Sequence, residues 1–189
     1  MPNMSAKPGR IRVIGGQWRN SRLDVPDLPG LRPTPERVRE TLFNWLMPRL
    51  AGARCLDLCA GTGALGIEAL SRGAASAQFV EPNPRAAQAL RDNLTRLKLP
   101  GGEVAGIEAQ AFLRGNPRLF DLVFLDPPFA LDLWRSLAER LEQDGWLSPH
   151  AWIYVEYPVD RRPELPATWL PHREGRAGEV GYLLLKRET

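Results

Sequence analysis

Asp126-Pro127-Pro128-Phe129 places a carboxylate, two stiff prolines and an aromatic ring in consecutive positions. That set suits methyl transfer to an exocyclic amino group of a nucleobase. The lone pair of a guanine N2, adenine N6 or cytosine N4 is delocalised into the ring, so the nitrogen is a poor nucleophile. It also carries two N–H donors. The Asp126 carboxylate can accept one, and the Pro127 backbone carbonyl, held by the Pro127-Pro128 geometry, can accept the other. Two fixed acceptors favour a pyramidal nitrogen and stabilise the positive charge that develops on it. Phe129 can stack on a flipped-out base. The alternative is a strand-ending turn with no chemistry, and the rest of the chain decides between them.

A second stretch, Leu56-Asp-Leu-Cys-Ala-Gly-Thr-Gly-Ala-Leu-Gly66, runs from an apolar segment into a glycine-rich turn. Gly61, Gly63 and Gly66 satisfy the G-x-G-x-x-G spacing that brings backbone close to a nucleotide cofactor. Glu81 ends the next apolar run, about 20 residues on, where an acid binds ribose hydroxyls. Both features fit a dinucleotide or S-adenosyl-L-methionine. Asp57, at the strand end beside a cationic methionine moiety, favours the latter; a turn or cap role is its alternative. Hydride transfer has no use for the Asp-Pro-Pro-Phe tip. The predicted cofactor set is Asp57, Ala60, Gly61, Thr62, Gly63, Glu81, Pro82, Gln110, Ala111 and Asp126.

These residues need strands and helices to position them. Apolar runs predict strands over 54–58, 76–81, 103–109, 120–126 and 151–157, alternating with helices over 64–73, 84–98 and 131–144. This is a doubly wound α/β pattern. The prolines end the 120–126 strand because neither can donate to a ladder. Asp57, Glu81, Gln110 and Asp126 then tip four parallel strands at the edge where such sheets bind ligands. Ahead of them, Thr34-Pro35-Glu36 reads as a helix start. The helix runs to about Leu50 with Val38, Leu42, Trp45, Leu46 and Met47 on its apolar face and Arg37, Thr41 and Asn44 on a polar stripe. Late in the chain, Gly181 to Lys186 reads as a final strand with no helix before it, implying an antiparallel hairpin at one sheet edge. The Arg173–Gly178 stretch reads as a basic loop, either closing on substrate or an ordinary hairpin turn.

Charge is unevenly placed. Residues 1–50 carry nine Lys/Arg against four Asp/Glu, and the remainder 16 against 18. A basic segment on a near-neutral domain is an electrostatic footprint for nucleic acid. Arg10-Ile-Arg-Val-Ile14 alternates with period two, Gly15-Gly16 follows, and Leu23-Asp-Val25 returns, which predicts a β-hairpin. Residues 1–33 are therefore read as an RNA-contacting hairpin and connector, and 34–189 as the catalytic domain. Arg10, Arg12, Arg19, Arg32 and Arg37 are the candidate RNA contacts. Trp18 either packs or stacks on a base.

The 189 residues, 43% hydrophobic and 25% charged, fit a soluble protein with one full core. The start lacks a signal-peptide core, and no apolar run approaches the ~20 residues of a membrane span, so a cytoplasmic location is expected. Cys55 and Cys59 are expected to be small reduced core residues. Two histidines far apart, His150 and His172, make a metal site unexpected.

The sequence resembles the bacterial RsmD family of 16S ribosomal RNA methyltransferases. The resemblance lies in Arg12-Val-Ile-Gly-Gly-Gln-Trp-Arg19, Pro29-Gly-Leu-Arg-Pro-Thr34, Arg37 to Leu46, Leu56 to Arg72, Phe124 to Phe129, Tyr154-Val-Glu156 and His172-Arg-Glu174. It implies a class I methyltransferase fold: a Rossmann-like, mostly parallel seven-stranded sheet with a reversed last strand, extended by the N-terminal hairpin. It implies S-adenosyl-L-methionine as donor and N2 of a guanine in 16S ribosomal RNA as target, of the guanine-966 type. The substrate would be a small-subunit particle and the enzyme a monomer. Many class I enzymes carry an acid for the adenine amine at the end of the third strand. Here Gln110 stands at that place, with Ala111 offering a backbone N–H.

Two other readings remain at this point. One is an N6-adenine or N4-cytosine methyltransferase, since the Asp-Pro-Pro-Phe tip does not separate target bases. The other is a non-catalytic ribosome-assembly factor that keeps the fold.

Overall fold

The computed structural model describes residues 9–189; the first eight, Lys7 among them, lie outside the described residues. The chain opens with a two-stranded antiparallel hairpin, β1 (Gly9–Arg12) and β2 (Arg22–Val25), paired from Gly9↔Val25 to Arg12↔Arg22. Helix α1 (Glu36–Leu50) follows, and then β3 (Arg54–Asp57), α2 (Ala64–Ser71), β4 (Ser76–Val80), α3 (Pro84–Arg96), β5 (Gly102–Ala105), α4 (Ala109–Phe112), β6 (Phe120–Leu125), α5 (Trp134–Gln143), β7 (Leu147–Pro158), β8 (Trp169–Ala177) and β9 (Val180–Arg187).

The main sheet has the order β5-β4-β3-β6-β7-β9-β8. β5, β4, β3, β6 and β7 are mutually parallel, and β9 runs antiparallel to both its neighbours. This is the expected seven-stranded, mostly parallel sheet with a reversed last strand. The order reverses between β3 and β6, and a crevice opens outside the carboxyl ends of strands at such a switch point.

β6 reads Phe-Asp-Leu-Val-Phe-Leu, with its last four residues buried. A central parallel strand is covered on both faces, so a nearly continuous apolar run is what it requires. One face of the sheet carries α1, α2, α3 and the hairpin around Phe43, Ile67, Phe79, Leu90 and Phe124. The other carries α4 and α5 around Val123, Leu125, Trp134, Leu137 and Trp146. α5 buries Trp134, Leu137, Ala138 and Leu141, the i, i+3, i+4, i+7 stripe of an amphipathic helix. α3 starts cleanly because Asn83 Oδ1 accepts from the N–H groups of Arg85 (3.0 Å) and Ala86 (3.2 Å), with Pro84 at the first helical position.

Four details depart from the sequence expectations, while the antiparallel hairpin at one sheet edge is present as expected. β5 stops at Ala105, and Gln110 sits in the short helix α4 instead of at a strand tip. Thr34 makes no cap bond to α1; its hydroxyl turns away to Glu156. Met47 is 60% exposed, and its place on the buried face of α1 is taken by Phe43. The hairpin at the end of the sheet is β8–β9, with β9 inside and β8 at the edge. Residues 173–177 are therefore paired strand, and of the expected basic loop only the turn at Gly178 remains.

The N-terminal hairpin shares the main core. Val13 and Leu23 are buried, and Ile11 and Trp18 pack against the same cluster as α1. The Glu68 carboxylate, fully buried on α2, accepts the N–H groups of Ile14 (2.9 Å) and Gly15 (2.8 Å) and the Arg72 guanidinium (2.9 Å). Trp18 Nε1 donates to the Leu97 carbonyl at 2.8 Å, which makes Trp18 an anchor, not a stacking platform. Among the described residues no helix is long and apolar enough to cross a membrane.

Candidate active site

Asp57, Glu81 and Asp126 all reach the carboxyl edge of the sheet, on β3 and just beyond β4 and β6. The parallel registers place them side by side, since Asp57 pairs with both Phe79 and Phe124. Just beyond β3, the Cys59 thiol is pushed up by burial and by the charges of Asp126, Asp57, Glu81 and Glu108. Both cysteines are free, and among the described residues no cluster of ligands is arranged for a metal ion.

The glycine turn is held from two sides. Gly61 N–H donates to Glu81 Oε1 (3.0 Å), and Asn83 N–H to Glu81 Oε2 (2.8 Å). Ala60 N–H donates to the Val80 carbonyl (2.9 Å), and Thr62 Oγ1 accepts from Ala64 N–H (3.2 Å). Gly61 and Gly63 have φ of 55° and 78°, which favours residues without a β-carbon. For Gly63 a second reason applies. A β-carbon would lie 2.3 Å from Leu90 Cδ1, so this glycine is required by the packing of α3 as well as by any ligand. At Gly66 it would lie 2.4 Å from the Phe79 ring, which explains the third glycine as a helix–sheet contact.

Asp57 is buried, and its Oδ2 accepts Gly66 N–H at 3.1 Å. Burial pushes its carboxyl up to about 7; the Gly66 bond opposes this, and the nearby Glu81 and Glu156 add to it. Glu81 is likewise raised, chiefly by burial, against the two N–H bonds that favour its charged form.

Beyond β5 the chain turns through Gly106, Ile107 and Glu108 into α4. Gly106 lies beside the Glu81 carbonyl, and Ile107 is 44% exposed. Pro82, next to Glu81 in the chain, is also exposed. Glu108, which immediately precedes α4, is the acid at this wall, and its charge reaches Glu81. Sequence reading passed over it because the strand was drawn too long. Gln110 and Ala111 follow in the first turn of α4, Gln110 exposed and Ala111 half-buried.

The Asp-Pro-Pro-Phe loop leaves β6 as expected. Asp126 keeps part of its surface open to the crevice while Pro127 is buried. A single 3-10 turn, Phe129–Leu131, begins with a bond from Leu131 N–H to the Pro128 carbonyl (3.1 Å), so that turn does not consume the Pro127 carbonyl. Phe129 leans on Trp134, ring centres 5.6 Å apart. Its carbonyl accepts from Arg161 Nη2 at 2.7 Å, which ties the loop to the chain after β7. Asp126 is held well above the usual carboxylate range, first by burial, then by the charges of Glu156 and Asp57 and a hydrogen bond with Glu156. Glu156 carried no role in the sequence reading. The available signal was an acid at the end of the apolar run Ala151–Tyr157, the same signature as the other three tips.

The five candidate RNA arginines are all exposed. Arg10 and Arg12 are already paired, with Asp24 (3.3 Å) and Glu36 (2.5 Å). Arg19, Arg32 and Arg37 have no acidic partner among the described residues. Arg39, adjacent to them in sequence, is buried and structural; it donates to the carbonyls of Thr34 (3.1 Å) and Arg12 (2.9 Å).

A family profile described as conserved hypothetical protein 95 matches residues 11–186. The chain is 50% identical to the ribosomal RNA small subunit methyltransferase D of Escherichia coli K12, over all of this chain and 95% of that protein. The chain belongs to the RsmD family. A solved structure described as the putative methyltransferase yhhF from Escherichia coli superposes on this RsmD-family chain with a TM-score of 0.90, at 47% identity over 96% of this chain and 99% of that one. An RNA methyltransferase from Salinibacter ruber, solved with S-adenosyl-L-homocysteine, shares the fold at a TM-score of 0.64, 17% identity, and coverage of 83% of this chain and 94% of that one. RsmD-family enzymes depend on S-adenosyl-L-methionine. The crevice fits that donor: a glycine turn whose backbone is already organised, an acid, Glu81, hydrogen-bonded to it, exposed apolar Ile107 in the turn beyond β5, and a buried Asp57 with no cation of its own.

Asp57 gives the crevice a pH response. Its folded value of about 7 lies far above the ordinary carboxyl value of 3.8. Without ligand, the stability it contributes is present at low pH and is lost as pH rises towards 7, because the unfolded chain ionises first. A cationic donor reverses this, since pairing favours the ionised form. Calorimetric donor affinity is expected to rise by up to about tenfold per pH unit below 7 and to level off above it. Asp57→Asn should flatten the profile; a wild-type affinity independent of pH between 5.5 and 7 would count against the pairing.

Proposed function

We propose that the protein methylates the exocyclic N2 amine of a guanine in 16S ribosomal RNA, of the guanine-966 type, within a small-subunit particle. The observation that carries the reading is the Asp126–Phe129 loop standing beside the organised glycine turn at the switch point of the sheet. Membership of the RsmD family supports ribosomal RNA as the substrate class. Bound S-adenosyl-L-methionine supplies an electrophilic methyl group on a sulfonium.

The chain's residues do the rest. Asp57 holds the cationic end of the donor, Glu81 its ribose hydroxyls, and Pro82, Ile107 and Ala111 flank its adenine, with Glu108 or Gln110 facing the ring amine. Ala60, Gly61, Thr62 and Gly63 supply close-approaching backbone. Phe129, steadied by Trp134 and Arg161, stacks on the flipped guanine. Asp126 and the Pro127 carbonyl accept its two amine protons and so aim the nitrogen lone pair at the methyl. Both acceptors are fixed before the base arrives, so little reorganisation is needed in the transition state.

Residues 1–33 serve as an RNA-contacting piece of the 34–189 methyltransferase domain, to which the hairpin is anchored through Val13, Ile14, Gly15 and Trp18. The ion pairs of Arg10 and Arg12 must be given up for them to bind phosphate. Arg19, Arg32 and Arg37 carry no such cost. Replacing these three with Gln is expected to reduce the log–log salt slope of particle binding by ~0.7–0.9 for each phosphate that is no longer neutralised. Replacing Arg10 and Arg12 should do less, and donor affinity should stay the same in both variants. An unchanged slope for the first variant would remove them from the interface.

The target is tested by offering labelled donor with free 16S RNA, with small-subunit particles and with duplex DNA, then identifying the methylated nucleoside. One basic face offers little surface for choosing a single guanine in naked RNA, and a loop nucleotide costs least to flip. N2-methylguanosine from particles, with little from free RNA and none from DNA, is the expected result. N6-methyladenosine, or DNA as the better substrate, would overturn the reading.

A further inference from the structure

Glu156 is a buried acid that the chemistry above leaves unused. It is 7% exposed in the middle of the sheet, one rung beyond the Leu125↔Val155 pair, and so stands beside Asp126. The register turns both side chains to the same face of the sheet, so the two carboxyls are neighbours that can share a proton. Glu156 Oε1 accepts from Thr34 Oγ1 (2.9 Å) and from Tyr154 OH (2.8 Å). Its backbone carbonyl accepts from Trp134 Nε1 (2.8 Å), which fixes the strand at this point. Donors from the segment before α1 and from β7 thus hold this one side chain, and α5 holds its backbone.

The titratable groups around the pair are Asp57 of β3, Cys59 just beyond that strand and Tyr154 of β7, with Tyr182 of β9 behind Tyr154. None is a cation, and among the described residues neither carboxyl has an ion-pair partner. Two adjacent carboxyls, one buried and the other only partly open, do not both ionise without a cation beside them. Burial raises both, and their interaction favours the proton on Asp126 and the charge on Glu156. Glu156 is the better seat for the charge because Thr34 and Tyr154 already donate to it.

We propose that Glu156 is a positioning residue for Asp126, holding it through one shared proton and taking that proton over when Asp126 receives another from the reacting amine. The inference rests on the reading of Asp126 as the acceptor of the guanine amine. In the step, the nitrogen lone pair forms the N–CH3 bond as the donor's C–S bond breaks and that electron pair returns to sulfur. The nitrogen now carries one proton too many. Asp126 accepts it on the oxygen facing the amine, while its other oxygen releases the shared proton to Glu156. The pair passes from a net charge of −1 to neutral, and part-open Asp126 returns the proton to solvent. The pair thus keeps a single negative charge while positive charge builds on the nitrogen, yet neither carboxylate is left bare in the free enzyme.

The test is Glu156→Gln, in which the amide keeps the shape and donates to Asp126 but cannot take a proton. Three measurements are made on it: the pH titration of the Asp126 carboxyl by carbon-13 NMR in the free protein, the single-turnover methylation rate on small-subunit particles, and calorimetric donor affinity. We expect Asp126 to titrate at lower pH than in wild type, the rate to fall about tenfold, and donor affinity to stay within about twofold. If Glu156→Gln does not fold, Thr34→Ala removes one donor from Glu156. It should also move the titration to lower pH, by less, because a less stabilised Glu156 carboxylate takes less of the charge and leaves more of it on Asp126. An Asp126 titration that does not move, or one that moves while the rate stays at wild type, overturns the proposal. Asp126→Asn separates the two failures: if that variant retains the wild-type rate, it is the reading of Asp126 itself that fails.

Discussion

Asp126→Asn is expected to lower the single-turnover rate by about 10²-fold or more, the effect of losing one preorganised group that acts in the transition state. Asparagine still fills the space and can still donate to Glu156, so the sheet edge should stay folded. Its amide oxygen can accept an amine N–H but cannot take the proton. Donor affinity should be unchanged, because Asp126 lies on the substrate side of the crevice, beyond Asp57 and Glu81. Alanine is the poorer probe. It would leave Glu156, 7% exposed, without the group that shares its buried charge, and a buried carboxylate stripped of its partner destabilises the fold on its own. Stopped-flow or quench measurements with saturating particle separate chemistry from product release. A wild-type single-turnover rate for Asp126→Asn would remove the acceptor role.

Glu81→Ala should act on the other half of the site. It removes the acceptor of a ribose hydroxyl pair and also the two bonds that fix Gly61 N–H and Asn83 N–H. Donor affinity is expected to fall by ~1–3 kcal/mol, which is about 5- to 150-fold, as for any buried polar group left without its partner. The single-turnover rate at saturating donor should stay near wild type, because Glu81 does not face the amine. Calorimetry with the free protein gives the first quantity without any turnover. Unchanged affinity would take Glu81 out of the cofactor site. Gly63→Val is unsuited to the same question. Its β-carbon would strike Leu90 in the free protein, so a weaker affinity would report disturbed packing.

The chemistry was legible in the sequence where it is local. Two prolines after an apolar run end a strand whatever surrounds it, so the place of Asp126 followed from residues 120–128 alone. The same holds for the glycine turn after Leu56-Asp57-Leu58, and for Glu81 at the end of Ser76–Val80. A doubly wound sheet then brings such tips to one edge, because every parallel strand points the same way. The period-two pattern of Arg10–Ile14 and its glycine pair gave the N-terminal hairpin for the same reason. The RsmD resemblance added the donor and the target class, which spacing by itself left open.

Tertiary structure decided what depends on residues far apart in the chain. Thr34 looked like a helix cap because capping is the usual local use of that pattern. Its hydroxyl instead meets Glu156, 122 positions away, and no local signal encodes that pairing. Phe43 displaced Met47 from the core because burial depends on what covers a helix face as much as on its period. Arg173 to Ala177 became strand only because β9 had an unpaired edge to offer. Glu108 reached the cofactor wall because β5 ends at Ala105, a length set by its pairing with β4. Side-chain type and strand endings thus fixed which groups can react. Only long-range register, which pairs Leu125 with Val155, set Glu156 beside Asp126 and so put two acids next to each other at the sheet edge.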